Sequence, residues 1–183
     1  KALAFFRKSG DDFHVAHCLG EMGNCFSRLG KAKAAFGHLT ESRMVYRRLK
    51  AQAEEAKAIR CIGVHNASLG KTKSALACFQ KAHDMFRKEG DAVHQSLASL
   101  DIAKVWLGQK KYEQALSICR EALPALEKNE LWEVKQAMAY IAEAIEQKGA
   151  QKPNLVHKIL EHVAAFIRSA QFNPELKFSP TMA

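Results

Sequence analysis

The chain has 183 residues, 48% hydrophobic and 26% charged, which is ordinary for a soluble globular chain of one domain or one compact array. Lys and Arg number 28 against 19 Asp and Glu, giving a formal charge of +9, while Gly 10 and Pro 4 exclude collagenous and most low-complexity classes. No apolar run approaches the ~20 residues of a membrane span, and no secretory leader is visible.

In chain order, residues 1–8 read as half a helix whose Ala2, Leu3, Phe5 and Phe6 need a partner, so its exposed end predicts self-association. The pattern is already under way at Lys1, which reads as a fragment cut from a longer protein. Helix pairs are then predicted at 12–29/32–49, 51–69/72–88, 92–108/111–128 and 130–148/153–170, followed by an irregular tail over 171–183. The signal is apolar spacing of three and four: Leu19, Met22, Cys25, Phe26, Leu29; Leu76, Phe79, Ala82, His83, Phe86; Leu116, Cys119, Ala122, Leu123, Leu126. Gly30, Gly70, Gly108 and Gly149 stand where the first helix of each pair should end. Asp11, Asp91 and Asn129 stand where the next should be capped. Pro153 suits a first turn, whereas Pro124 should bend its helix or end it early. No strand-like alternation of useful length occurs, so the fold class is all-α.

Shifting the sequence by forty brings small residues into register. Ala35, Ala75 and Ala115 form one column, Ser42, Ala82 and Ala122 a second, and Gly23, Gly63 and Ala103 a third. Phe6, Tyr46, Phe86 and Leu126 form a bulky column. Small columns mark close approach of helix backbones, and bulky columns fill the space between neighbouring pairs. Antiparallel helix pairs stacked this way make an α-solenoid, here a single array over residues 1–170.

The columns resemble the tetratricopeptide repeat. Leu19-x2-Met22-Gly23-x2-Phe26 followed by Ala35-x3-Leu39 carries the likeness, repeated from Ile59-Ile62-Gly63 to Ala75-Phe79 and from Ser99-Ile102-Ala103-Trp106 to Ala115-Cys119. A fourth, degenerate copy has Glu143 where glycine is expected. The long period resembles the branch found in spindle-orientation adaptors and in the receptor-clustering scaffold rapsyn. The resemblance implies a right-handed superhelix whose concave groove binds a peptide or helix of a partner, without chemistry of its own.

In such a fold the first helix of each pair lines the groove. The resemblance maps His17, Glu21, Asn24 and Arg28 there, then Lys57, Arg60 and Val64, then Leu97, Asp101 and Lys104, then Tyr140 and Gln147. Asn24, Arg28, Lys57, Arg60 and Lys104 would form a cationic track suited to the carboxylates of an acidic peptide. The clamp of chaperone-tail binders is absent: Gly20, Cys61, Leu97 and Asp101 occupy its positions beside Asn24. The Arg and two Asn of each spindle-adaptor groove helix are replaced by His17, Glu21 and Asn24, then by Lys57, Cys61 and Val64.

The positive charge is patterned. Arg7, Arg47 and Arg87, with Lys8, Arg48, Lys88 and Lys128, fall at helix C-termini, where the dipole favours cations. Lys31, Lys33, Lys71, Lys73, Lys110 and Lys111 fall at helix starts, where it does not; they read as an edge for an acidic partner. A second reading is a ligand-responsive regulatory module of a larger signalling protein. A third is nucleic-acid binding; Trp106 and Tyr112 in core columns and Phe in apolar stripes leave no platform for base stacking, which argues against it.

His14, His17 and Cys18 have a spacing that can hold a metal, but no second ligand pair follows, so no metal or cofactor is expected. Cys25, Cys61, Cys78 and Cys119 read as small core hydrophobes, and the odd count of five as reduced thiols in a cytoplasmic protein. There is no phosphate-binding loop, dinucleotide fingerprint or HExxH, so no enzyme is expected.

Overall fold

A computed structural model describes residues 1–128, and no strand occurs among them. The helices are α1 (Ala2–Ser9), α2 (Asp12–Arg28), α3 (Ala32–Arg48), α4 (Gln52–Ser68), α5 (Thr72–Glu89), α6 (Ala92–Gly108) and α7 (Tyr112–Lys128). Helices α2 to α7 begin at residues 12, 32, 52, 72, 92 and 112, a pitch of twenty. The forty-residue column spacing is therefore two helices, each followed by a turn of two or three residues.

One turn geometry recurs throughout. After α2, Lys31 N–H donates to the Phe26 carbonyl at 2.9 Å and Gly30 N–H to the Ser27 carbonyl at 3.1 Å. This crossed pair satisfies the last orphan carbonyls and needs a left-handed residue just past the helix. Gly10, Gly30, Gly70 and Gly90 take that place with φ near 70°. Lys50 (φ 56°) and Lys110 (φ 58°) take it in the other two turns. Gly108, expected to terminate its helix, is instead the last residue of α6, and Lys110 makes the turn. A left-handed lysine costs roughly 1–2 kcal/mol, and glycine gives back roughly 0.5–1 kcal/mol through its freer unfolded chain. Lys50→Gly is therefore expected to stabilise the protein by about 0.5–1 kcal/mol in urea titrations.

The chain divides into two compact units, Lys1–Asp91 and Ala92–Ala183. In the first unit α1 lies on α2, α2 packs on α3, α3 on α4, and α4 on α5. The small columns are the contact lines: Ala35 and Ala75 are fully buried, Ser42 is 1% exposed, and Gly23 and Gly63 are buried. Ser42 Oγ donates to the Ala16 carbonyl at 2.7 Å, tying α3 to α2. In the second unit α6 packs on α7, and Ala103, Ala115 and Cys119 are fully buried.

The stripes are less uniform than their spacing. Cys25 and Leu29 are exposed, because Cys25 turns off the buried face and Leu29 sits in the turn, past the last residue of α2. α7 continues through Pro124 to Lys128 rather than ending early. Helix α1 has no buried residue and leaves Phe5 68% exposed. The predicted helices 130–148 and 153–170 and the tail lie outside the described residues.

One buried polar node joins three helices. His65 of α4 is 2% exposed, its Nδ1 lies 2.8 Å from Ser27 Oγ of α2, and it bonds the Ala32 backbone at the start of α3. Burial, with Lys71 nearby, holds its pKa below the ordinary 6.5. The folded protein thus keeps His65 neutral while the unfolded chain protonates normally. Stability is complete above pH 6.5 and falls as pH drops below it, by up to one proton's worth of slope. Thermal melts between pH 7.5 and 5 are expected to show this decline, and His65→Gln to remove that part of it.

Candidate functional site

The first unit holds a cleft of about 310 Å³ between α2 and α4, with α3 as its floor. It owes its depth to small side chains. Gly20 faces Ser42 so closely that a Cβ there would lie 3.2 Å from Ser42 Oγ, and Ala58 lines the opposite side. Tyr46 lies beneath, 6% exposed and packed with Ala16 and Ala58. Phe13, 44% exposed, stands edge-on to Tyr46 with ring centroids 5.5 Å apart at 70°. One aromatic pair therefore forms both wall and floor.

The polar lining comes from successive turns. α2 contributes His17, Glu21 and Asn24; α4 contributes Glu54, Lys57 and Cys61. These are i, i+3, i+4 and i+7 steps, so each set shares one helix face. Lys57 Nζ lies 3.3 Å from Glu54 Oε1 one turn earlier. Burial first, then the Glu54 and Glu21 carboxylates, pushes the Tyr46 phenol up to about 12. It therefore stays protonated at any physiological pH and can donate or accept a hydrogen bond.

The structure thus brings together His17, Glu21, Asn24 and Lys57 of the residues expected in the groove. Arg28 is exposed at the end of α2, Arg60 is half-buried and Val64 is 46% exposed; none of the three lines the cleft. The cationic track is accordingly not assembled there: carboxylates alternate with the one lysine. In the second unit Asp101 and Lys104 are half-buried, while Leu97 is only 2% exposed and is a core residue. Helix α6 buries residues on several faces, Ser96, Leu97, Ala98, Ser99 and Leu100 in succession, so no side of it is free to be a groove wall at that position. Tyr140 and Gln147 lie outside the described residues.

Phe13, Tyr46 and Glu54 were not among the expected groove residues. Tyr46 was legible only as a member of the bulky core column, and Phe13 only as part of a capped helix start. The expectation that phenylalanines lie in buried stripes also needs correction: Phe5, Phe13 and Phe36 are 68%, 44% and 49% exposed.

The first-turn and last-turn charges follow the sequence pattern. Arg7, Lys8, Arg47, Arg48, Arg87 and Lys88 close α1, α3 and α5. Arg7 pairs with Glu41 at 3.1 Å and Arg48 with Asp12 at 2.8 Å, bridging neighbouring helices on exposed ground worth little stability. Lys31, Lys33, Lys71 and Lys73 are exposed at the starts of α3 and α5, which carry no acidic residue in their first turns.

Other chemistry is structural. His14 Nδ1 lies 2.7 Å from Asp11, whose carboxyl also accepts the His14 N–H and caps α2. The His14 ring stacks on Phe6. Among the described residues no group of three or more His, Cys, Asp or Glu is placed to hold a metal ion. Burial pushes the Cys119 thiol up to about 12 and raises that of Cys78, the opposite of a reactive thiolate. No helix of the described residues is long and apolar enough to cross a membrane.

The described residues thus form an all-helical repeat whose first unit carries a lined cleft. The model of the family described as SNAP, soluble NSF attachment protein, matches residues 1–147, and the chain belongs to that family. It is a TPR-like helical-repeat family of adaptor type. No curated protein matches the chain.

Proposed function

We propose that the chain is an adaptor that holds a peptide or helix of a partner protein in the cleft between α2 and α4. The observation that carries this reading is the cleft itself, where an exposed Phe13 beside Tyr46 meets His17, Glu21, Asn24 and Lys57 in a space of about 310 Å³. Apolar wall and convergent polar groups are what peptide recognition by a helical groove uses. The partner also carries an acidic segment, which meets exposed cations at the starts of α3 and α5. The lysines at the starts of α3 and α5 support this, because helix N-termini do not favour cations on structural grounds. The forty-residue likeness to the spindle-orientation branch supports the same kind of use. Attachment of an NSF-like partner, which the family's name describes, belongs to the same reading.

The test is a selection of 15-residue peptides displayed on phage against the immobilised chain, with a mixed RNA pool in competition. The selected peptides are expected to bind Phe13→Ala and Asn24→Ala about tenfold more weakly than the parent. Their affinity is expected to fall as salt shortens the Debye length below ~10 Å. Peptides that bind both variants at parental strength would place the site elsewhere, and displacement by RNA would favour a nucleic-acid binder.

A further inference from the structure

A chain of formal charge +9 puts two carboxylates, Glu21 and Glu54, on the wall of its cleft. The cleft's one lysine, Lys57, lies 3.3 Å from Glu54. Glu21 is exposed and has no ion-pair partner among the described residues. The lining thus sets two carboxylates against one lysine.

The floor adds an independent observation. Tyr46 is 6% exposed, lines the cleft, and its phenol oxygen makes no hydrogen bond among the described residues. The ring is held in the core while the hydroxyl opens into the cleft, where whatever occupies the cleft can serve it. Two carboxylates, a phenol oxygen and the Asn24 amide oxygen make the surface rich in acceptors. Its lysine donor is already engaged by Glu54. The missing complement is a group with several donors and a positive charge on an apolar stem.

We propose that the cleft is a subsite for a basic side chain of the partner, arginine in preference to lysine. The inference rests on the peptide-binding reading above. Glu21 and Glu54 hold the guanidinium, whose planar fork offers five N–H donors. The Tyr46 oxygen accepts one of them, and the Phe13 ring covers the aliphatic stem. The partner segment is then a basic anchor beside an acidic stretch, so the cleft and the basic surface read opposite charges. Register follows: a peptide shifted along the groove sets like charges against each other.

The test is a titration of the full chain, labelled with nitrogen-15, by N-acetyl-arginine amide, with N-acetyl-glutamate amide as control. Saturable amide shifts are expected at the residues that line the cleft with the arginine probe and not with the glutamate probe. The double variant Glu21→Gln, Glu54→Gln is expected to weaken the arginine probe about tenfold, and Tyr46→Phe about fivefold, with helical content unchanged. Cleft shifts with the glutamate probe, or arginine binding indifferent to the double variant, would overturn the proposal. Phage peptides that need Phe13 but contain no basic residue would overturn the subsite and leave the adaptor reading standing. Arginine-probe binding in the cleft with peptides indifferent to Phe13 would do the reverse.

Discussion

Phe79→Ala is expected to cost about 3–5 kcal/mol, the largest loss of any single change considered, because the ring is 2% exposed and fills the line between α4 and α5. The mechanism is a cavity that the backbone cannot close. Gly63 of α4 approaches the ring so closely that a Cβ there would lie 2.6 Å from Phe79 Cε1, leaving no flexible side chain at that point to slide into the gap. In a repeat, each unit leans only on its neighbours, so the damage should be local. Hydrogen exchange is the suitable readout: amides of α4 and α5 should lose protection most, those of α1 least. Uniform loss through α1 to α5 would show that the first unit melts as one block.

Gly63→Ala attacks the same contact from the other side. The added methyl would also lie 3.1 Å from Cys78 Cβ, so it meets two side chains of α5 at once. Overpacking of this kind costs roughly 1–3 kcal/mol, which outweighs the ~1 kcal/mol that alanine gains over glycine inside a helix. Gly23→Ala should behave alike, since its methyl would lie 2.6 Å from Leu39 Cγ and 3.1 Å from the Leu39 backbone nitrogen. Gly37 supplies the control. It lies exposed within α3 with nothing within 4 Å of an added Cβ, so Gly37→Ala should stabilise by about 0.5–1 kcal/mol. Pairing Gly63→Ala with Phe79→Leu should return part of the loss, because the two residues share one space. Additive losses in urea titration would mean that the methyl and the ring do not compete.

What the sequence could show depended on whether a residue type had one physical reason to be where it is. The Ala35, Ala75 and Ala115 column had one reason, close helix approach, and all three are fully buried. The helix spacing was legible from breakers and apolar periodicity, but not that Lys50 and Lys110 make the turn that Gly10, Gly30, Gly70 and Gly90 make elsewhere. Lysine does not announce a left-handed turn, so those two turns could be placed only by where the apolar periodicity breaks.

The cleft was legible along one helix face at a time. His17, Glu21 and Asn24 on α2 and Lys57 on α4 follow from helical spacing and the groove rule. Tyr46 was not, because its column is fully buried at Phe86, and only the fold shows that at Tyr46 a cleft reaches the ring. Leu97 fails for the reverse reason: α6 is buried on more than one face, so helical spacing alone cannot tell groove from core.

The central claim is that a partner peptide occupies the cleft between α2 and α4. A photo-crosslinking amino acid placed at position 13, which lines the cleft, and separately at position 44, where Met44 is 65% exposed outside it, tests that claim with the phage-selected peptides. Crosslinked adducts from position 13 and none from position 44 are the expected result. Adducts from position 44 alone would contradict the account.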